Sequence, residues 1–351
     1  MADTRARRGG ERPEDLEREE AEVQGGIEAE LGVSIEELAA LFLLDTIRGF
    51  GPQKFKELYE AGVSPQHLLN EPDLLPTVGR RGLAFRSAIA DLDGEAVRLA
   101  RARAVRQLLR AYENGARVLT YRDRLYPPSV YKSNNPVPVL YVRGRPELLG
   151  EARAVACVGS RETSPPYSER HGEFAGRAAK RGFEVVSGFA MGADTIGHLA
   201  AIDAGGTTVL VMPCGLDRPF PPENRRLWDQ LLAHPGAAMV SEFPFGTAAA
   251  GLTLRKRNKL IVAFAKGVLL SQSSAKGGAM NAYRFALEQH KPVATFAPDG
   301  LARSSGNQVI AESDGQVALE ATRNGPATVF AADGPDLPAW DAWLQRLSSS
   351  T

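Results

Sequence analysis

The chain has 351 residues, too many for one small domain and suited to two or three units. Its 42 Lys and Arg balance 42 Asp and Glu, which excludes a general polycation, so any nucleic-acid site has to be a local patch. Only Cys157 and Cys214 are present, in or beside apolar runs, which excludes a disulfide framework or a zinc cluster and marks both as small core residues.

No apolar stretch is long enough to cross a bilayer, and the N-terminus lacks the apolar segment of a secretory signal, so a cytoplasmic protein is expected. Residues 1 to about 30 are rich in Arg, Glu and Gly with few apolar positions, and read as a disordered charged arm. A helical domain is expected over 31–115. There "SIEELAALFLLDTIRGFG" places Ile35, Leu38, Phe42 and Leu43 at helical spacing. Gly49 and Gly51 end that helix and Pro52 starts the next. "GFGPQKFKELYEAG" resembles a helix-hairpin-helix, and "PTVGRRG" reads as the turn of a second one; a plain packing domain explains both equally well.

Residues 116–144 combine short strands with many prolines and read as a connector that packs on the next domain. From Ala154 to about Pro298 the runs "AVACVG", "FEVVSG", "TTVLVMP", "AMVSEF", "GVLLSQ" and "PVATFAP" alternate with helical stretches near 168–181, 193–204, 223–233 and 278–290. Near-continuous apolar strands alternating with helices predict a parallel sheet covered on both faces, an extended Rossmann-like α/β fold over 116–322. Residues 323–351 read as a short tail with one amphipathic stretch, "LPAWDAWLQRL".

Such sheets bind ligands at the carboxyl ends of their strands. The first strand of the run is followed by Gly159-Ser160-Arg161, the second by Ser187-Gly188 and then Asp194 and His198. The segment "TLRKRNK" adds Arg255, Arg257, Asn258 and Lys259, and the loop after "GVLLSQ" adds Lys276. Arginine forks, hydroxyls and the close backbone approach that glycine allows suit a phosphate. The alternative for 255–259 is a solvated charged helix face. No G-x-G-x-x-G follows the first strand and no P-loop is present, which disfavours dinucleotides and P-loop chemistry; no cofactor or metal site is expected. Ser187, Asp194 and His198 sketch a hydrolase triad without a nucleophile elbow, the simpler reading being a helix cap and a local histidine bond. Glu242, at a strand end, is a candidate for a ribose hydroxyl or for a cap.

Taken in order, "YRDRLYPPSVYKSNNPVPVLYVRG", "VGSRETSPPYS", "VVSGFAMGADTIGHLAAIDAGGTTVLVMPCGLDRPFPPENRRL", "VSEFPFG" and "RNKLI" resemble the DNA processing protein A (DprA, or Smf) family over about 120–300. The resemblance implies a Rossmann-like domain preceded by a small helical one, single-stranded DNA as ligand, RecA recombinase as partner in natural transformation, a homodimer, and no catalysis. It carries DNA-contact roles onto Ser160, Arg161, Ser187, Gly188, Arg257, Asn258 and Lys259. The chain departs from the family pattern at Ala193, at Lys259 in place of an arginine, at Gln272 in place of an acid, and at "KGGAM". The short tail leaves no room for the winged helix of many relatives. A specialised paralogue acting on foreign DNA is therefore a second form of the same reading. Two further readings stay open: a nucleotide sensor or phosphoribohydrolase-like enzyme with Glu288 as general acid, and a scaffold with a vestigial pocket.

Overall fold

The computed structural model describes residues 13–150, 153–313 and 326–349, and divides between Glu113 and Asn114 into two units. In the first unit, Ser34 caps the Ile35–Asp45 helix by accepting the Glu37 N–H at 3.1 Å, and Ser64 caps Pro65–Asn70 through the His67 N–H at 3.1 Å. Ile35, Leu38, Phe42 and Leu43 are all buried there, as their spacing predicts. Gly49 takes a φ of +84°, and Pro52 opens the Pro52–Glu60 helix.

The disordered arm is corrected from Pro13 onward. Residues Pro13–Glu22 form a helix that runs through a wide turn, Val23–Ile27, into Glu28–Leu31. Val23, Ile27 and Leu31 are buried at intervals of four, a stripe that composition averages away. Arg101 ties this segment down, its Nε donating to Glu20 at 2.6 Å and its Nη1 to Glu36 at 3.2 Å. Residues 1–12 of the expected arm lie outside the described residues.

The second unit carries one nine-stranded sheet. Its strands are β1 (Ala116–Thr120), β2 (Val139–Gly144), β3 (Ala154–Val158), β4 (Glu184–Ser187), β5 (Thr208–Val211), β6 (Ala237–Ser241), β7 (Gly267–Leu270), β8 (Val293–Phe296) and β9 (Thr328–Phe330). The order is β1-β2-β6-β5-β4-β3-β7-β8-β9. β1, β2 and β6 pair antiparallel, and every pair from β6 to β9 is parallel. The short strands expected within 116–144 are thus β1 and β2, which join the sheet, so the segment is more than a connector packed on it.

Alternation along β3 shows why both faces are covered. Ala154, Ala156 and Val158 join one core with Leu260 to Ala265, while Val155 and Cys157 join another with Phe174, Ala178 and Trp340. The tail is likewise corrected. β9 extends the sheet, and the Leu337–Ser349 helix buries Trp340, Trp343, Leu344 and Leu347. Arg177, on the Tyr167–Lys180 helix, and Arg181, just past its end, clamp Asp341, Arg177 Nε donating at 2.9 Å. The α/β unit therefore runs past residue 322, although 314–325 lie outside the described residues.

From β3 the chain steps outward through β4, β5 and β6, then returns to lay β7 on the other side of β3. The connections after β3 and β7 leave in opposite directions. A doubly wound sheet opens its ligand crevice at that reversal, beyond the carboxyl ends of the two strands.

Candidate nucleic-acid interface

A cleft of about 420 Å³ lies at this reversal, within the roughly 300–1,000 Å³ of small-ligand sites. Val158, Gly159, Ser160 and Arg161 wall it from β3, and Ser273, Ser274, Gly277 and Gly278 from β7. The Gly251–Phe264 helix contributes Leu254, Arg255, Arg257 and Asn258, and the Met280–Glu288 helix contributes Asn281.

The β3 turn is fixed by its own backbone. The Ser160 N–H donates to Gln272 O at 2.7 Å, and Ser160 O accepts the Ala193 N–H at 3.1 Å and the Thr163 hydroxyl at 2.7 Å. A Cβ on Gly159 would stand 2.7 Å from the Ala193 Cβ, so only glycine lets strand and helix approach this closely. Gly192, at φ +77°, is pressed on the Ser160 and Arg161 carbonyls. Gln272, standing where the family pattern has an acid, holds the far end of the turn: its Oε1 accepts the Ser164 N–H at 3.0 Å and its Nε2 donates to Ser164 Oγ at 3.1 Å. Arg161 thus projects from a rigid turn, exposed, and no acid lies within ion-pair distance of it or of the exposed Arg255 among the described residues.

Arg257 does something other than the sequence suggests. Its side chain is 5% exposed. Nη1 donates to Gly188 O and, at 2.9 Å, to Val211 O. Burial lowers its pKa and the Asp194 carboxylate raises it. Burial in turn raises the Asp194 carboxyl above the ordinary aspartate range, against the pull of Arg257 and of the Ala190 N–H, which donates to Oδ2 at 3.2 Å. Arg257 reaches the cleft wall from below and braces the β4 loop, while Arg161 and Arg255 are the cations that face outward. Phe189, in that loop, adopts φ +62°, with Asn224 Nδ2 donating to its carbonyl at 3.1 Å.

Of the residues singled out in sequence, the cleft gathers Gly159, Ser160, Arg161, Asp194, Arg255, Arg257 and Asn258. Ser187 is fully buried and its Oγ donates to Cys157 O at 2.6 Å, which takes it off the wall. Gly188 is displaced from the wall by the guanidinium it accepts. Lys259 points its ammonium over the Phe285 ring, 5.2 Å from the centroid. Lys276 is exposed outside the wall. Glu242 also stands off the wall; burial raises its pKa, against the nearby Lys256 and Lys259.

The triad does not assemble. The Thr208 hydroxyl donates to Val185 O at 2.7 Å, so it accepts from His198 Nδ1 at 2.6 Å, and no serine reaches that ring. Burial, with the charge of Arg257 second, drives the His198 pKa down to about 3. Glu288, the general acid of the enzyme reading, is exposed and off the wall. Of the candidate stacking aromatics Phe189, Phe220 and Phe245, Phe189 is buried against Trp228 and Phe245 packs on Tyr141, so neither is free to stack on a base, while Phe220 is half-buried and off the cleft wall. No cluster of three or more metal-ligating side chains exists among the described residues. None of their helices is long and apolar enough to cross a membrane.

Sequence reading missed Ser273, Ser274, Asn281 and the Gly277–Gly278 pair as individual wall residues. Their signal was position: they follow the strand that pairs with β3 across the reversal.

Residues 117–323 match the sequence model of the family described as DNA recombination-mediator protein A. The chain is 34% identical over 187 residues to Protein Smf of Escherichia coli, covering 53% of this chain and 49% of that protein. It is 30% identical over 195 residues to the DNA processing protein DprA of Bacillus subtilis, covering 55% and 64%. It thus spans about half the length of the curated relatives it matches. The crystal structure of DprA from Streptococcus pneumoniae shares the fold, with a TM-score of 0.62, 20% identity, and 85% and 95% coverage. DprA from Helicobacter pylori, described by its single-stranded DNA binding mode, superimposes with a TM-score of 0.53 at 25% identity, covering 66% and 96%.

Proposed function

The chain belongs to the DNA recombination-mediator protein A family, and we propose that it binds the phosphate backbone of single-stranded DNA in the cleft between β3 and β7. One observation carries this reading: two exposed arginines, Arg161 and Arg255, with no acid in ion-pair distance among the described residues, stand on the wall of the crevice at the strand reversal. Ser160, Asn258, Ser273 and Asn281 supply neutral hydrogen-bonding groups beside them. An arginine offers a planar fork to phosphate oxygens, and phosphate contacts bind without reading sequence. Asp194 is the single acid on the wall among the described residues, and it is engaged with the β4 loop. That arrangement suits holding a strand and not cutting one.

On this reading the protein presents the strand to the RecA recombinase, in natural transformation or in a response to foreign DNA, as a homodimer. The roles of Gly159, Ser160, Arg161, Arg255 and Asn258 are contacts to the strand, and that of Arg257 is support from beneath.

The test is fluorescence anisotropy with labelled single- and double-stranded oligonucleotides over a salt series. Wild type should prefer the single strand and weaken steeply with salt. Arg161→Ala should weaken binding and reduce the slope of log K against log salt by about one contact. Absence of binding at low salt removes the reading, and release of free base from a nucleotide would establish the enzyme in its place.

A further inference from the structure

We propose that Met191 and Leu252 receive the faces of unstacked bases and make the cleft selective for single strands. The proposal rests on the reading that the cleft binds single-stranded DNA, and names what in it discriminates against a duplex.

Phosphate contacts alone do not discriminate, because duplex and single strand both present phosphates. Selectivity needs a surface for what only the single strand offers, the face of a base. Proteins of this kind use aromatic platforms. Here no aromatic side chain among the described residues lines the cleft; Phe189 and Phe245 are consumed by packing and Phe220 stands off the wall.

Next in sequence to the cleft wall stand two exposed aliphatic side chains. Met191 is 41% exposed and Leu252 67%, the latter the most exposed large apolar residue of the second unit among the described residues. Each directly follows a wall residue, Ala190 and Gly251 respectively. Leu252 also accompanies one of the outward-facing arginines, and Met191 adjoins the turn that carries the other. Met191 precedes Gly192, which is pressed on the Arg161 carbonyl. Leu252 stands three residues before Arg255 on the Gly251–Phe264 helix, so the two are neighbours on its surface.

At Leu252 and Arg255, then, an exposed apolar side chain and a cation stand side by side on one helix, and Met191 adjoins the residue that packs on the Arg161 backbone. That pairing matches the chemistry of a nucleotide, a charged phosphate with a flat apolar base beside it. Methionine suits the task, since its unbranched polarisable side chain adapts to any aromatic face. A duplex keeps its bases stacked and presents only their edges in the grooves, so it leaves both rim residues uncovered.

The experiment uses the full chain with a labelled oligothymidylate, an abasic strand of equal length and a duplex. The Met191→Ala/Leu252→Ala variant should bind oligothymidylate roughly five- to tenfold more weakly, with the salt slope of the wild type retained. On the abasic strand it should match wild type, since no base faces remain to be covered. The exchange Met191→Leu/Leu252→Met should keep wild-type affinity, which excludes a general loss of structure. The proposal is overturned if the alanine variant binds oligothymidylate as wild type does, or loses equally on the abasic strand. A wild type that binds neither strand at low salt overturns the underlying reading and this proposal with it. If instead wild type binds and only Arg161→Ala weakens it, the DNA reading stands and the rim proposal falls.

Discussion

Gly188 lacks a side chain because Arg257 occupies the place where one would be. A Cβ built on Gly188 would coincide with the guanidinium that donates to the Gly188 carbonyl. The two residues are 69 positions apart in sequence and act as one device. Arg257 fixes the loop after β4, which in turn presents Ala190 and Asp194 to the cleft.

Gly188→Ala should therefore destabilise the protein by about 3 kcal/mol through overpacking. Arg257→Ala should cost about as much or more, because it leaves two carbonyls and the Asp194 carboxylate uncompensated in a buried site. The double variant should lose less than the sum, since removing the guanidinium clears space for the new methyl group. Chemical denaturation of the three variants measures this directly. Additive losses would show that the residues act separately.

Acid should destabilise the second unit through two buried histidines. Burial lowers the His171 pKa to about 4 and that of His198 to about 3, from 6.5 in the unfolded chain. Below pH 6.5 the unfolded state takes up protons that the folded state refuses. Stability is thus complete above that pH and is lost progressively as pH falls toward 4 and then 3. Melting temperature against pH should show the decline, and His171→Leu should make it shallower. An unchanged profile in that variant would place the acid sensitivity elsewhere.

The C-terminal helix should prove part of the core. Trp340 is fully buried, packing edge-on against Phe174 at 5.6 Å between centroids. Trp340→Ala should cost about 3–5 kcal/mol, while leaving single-strand affinity unchanged at temperatures where the variant is folded. A near-neutral effect in denaturation would show that the helix merely rests on the unit.

Chain order alone determined much of this protein. Alternating apolar runs and helical stretches specify β3 to β8 and their covering helices, since burial on both faces demands near-continuous apolar strands. The turn Gly159-Ser160-Arg161 is legible because the apolar run of β3 stops at a polar, glycine-led turn, which marks the carboxyl end of a strand. Short elements held by distant partners were not legible. The Val23, Ile27, Leu31 stripe hides in a charged segment, β9 is not visible, and the amphipathic stretch of the last helix looks like a tail until Trp340 and Trp343 find the far face of the sheet.

The site divides along the same line. Sequence identifies which residues can meet a phosphate, because charge and hydroxyls are local properties. Only the tertiary structure decides which of them face outward. Adjacent residues on the Gly251–Phe264 helix point in different directions, so Arg257 is turned inward to brace a loop while Asn258 meets the cleft and Lys259 lies over Phe285. A run of cations becomes a binding surface, a brace and a packing contact because a helix turns about a hundred degrees per residue, and no composition records where that rotation begins.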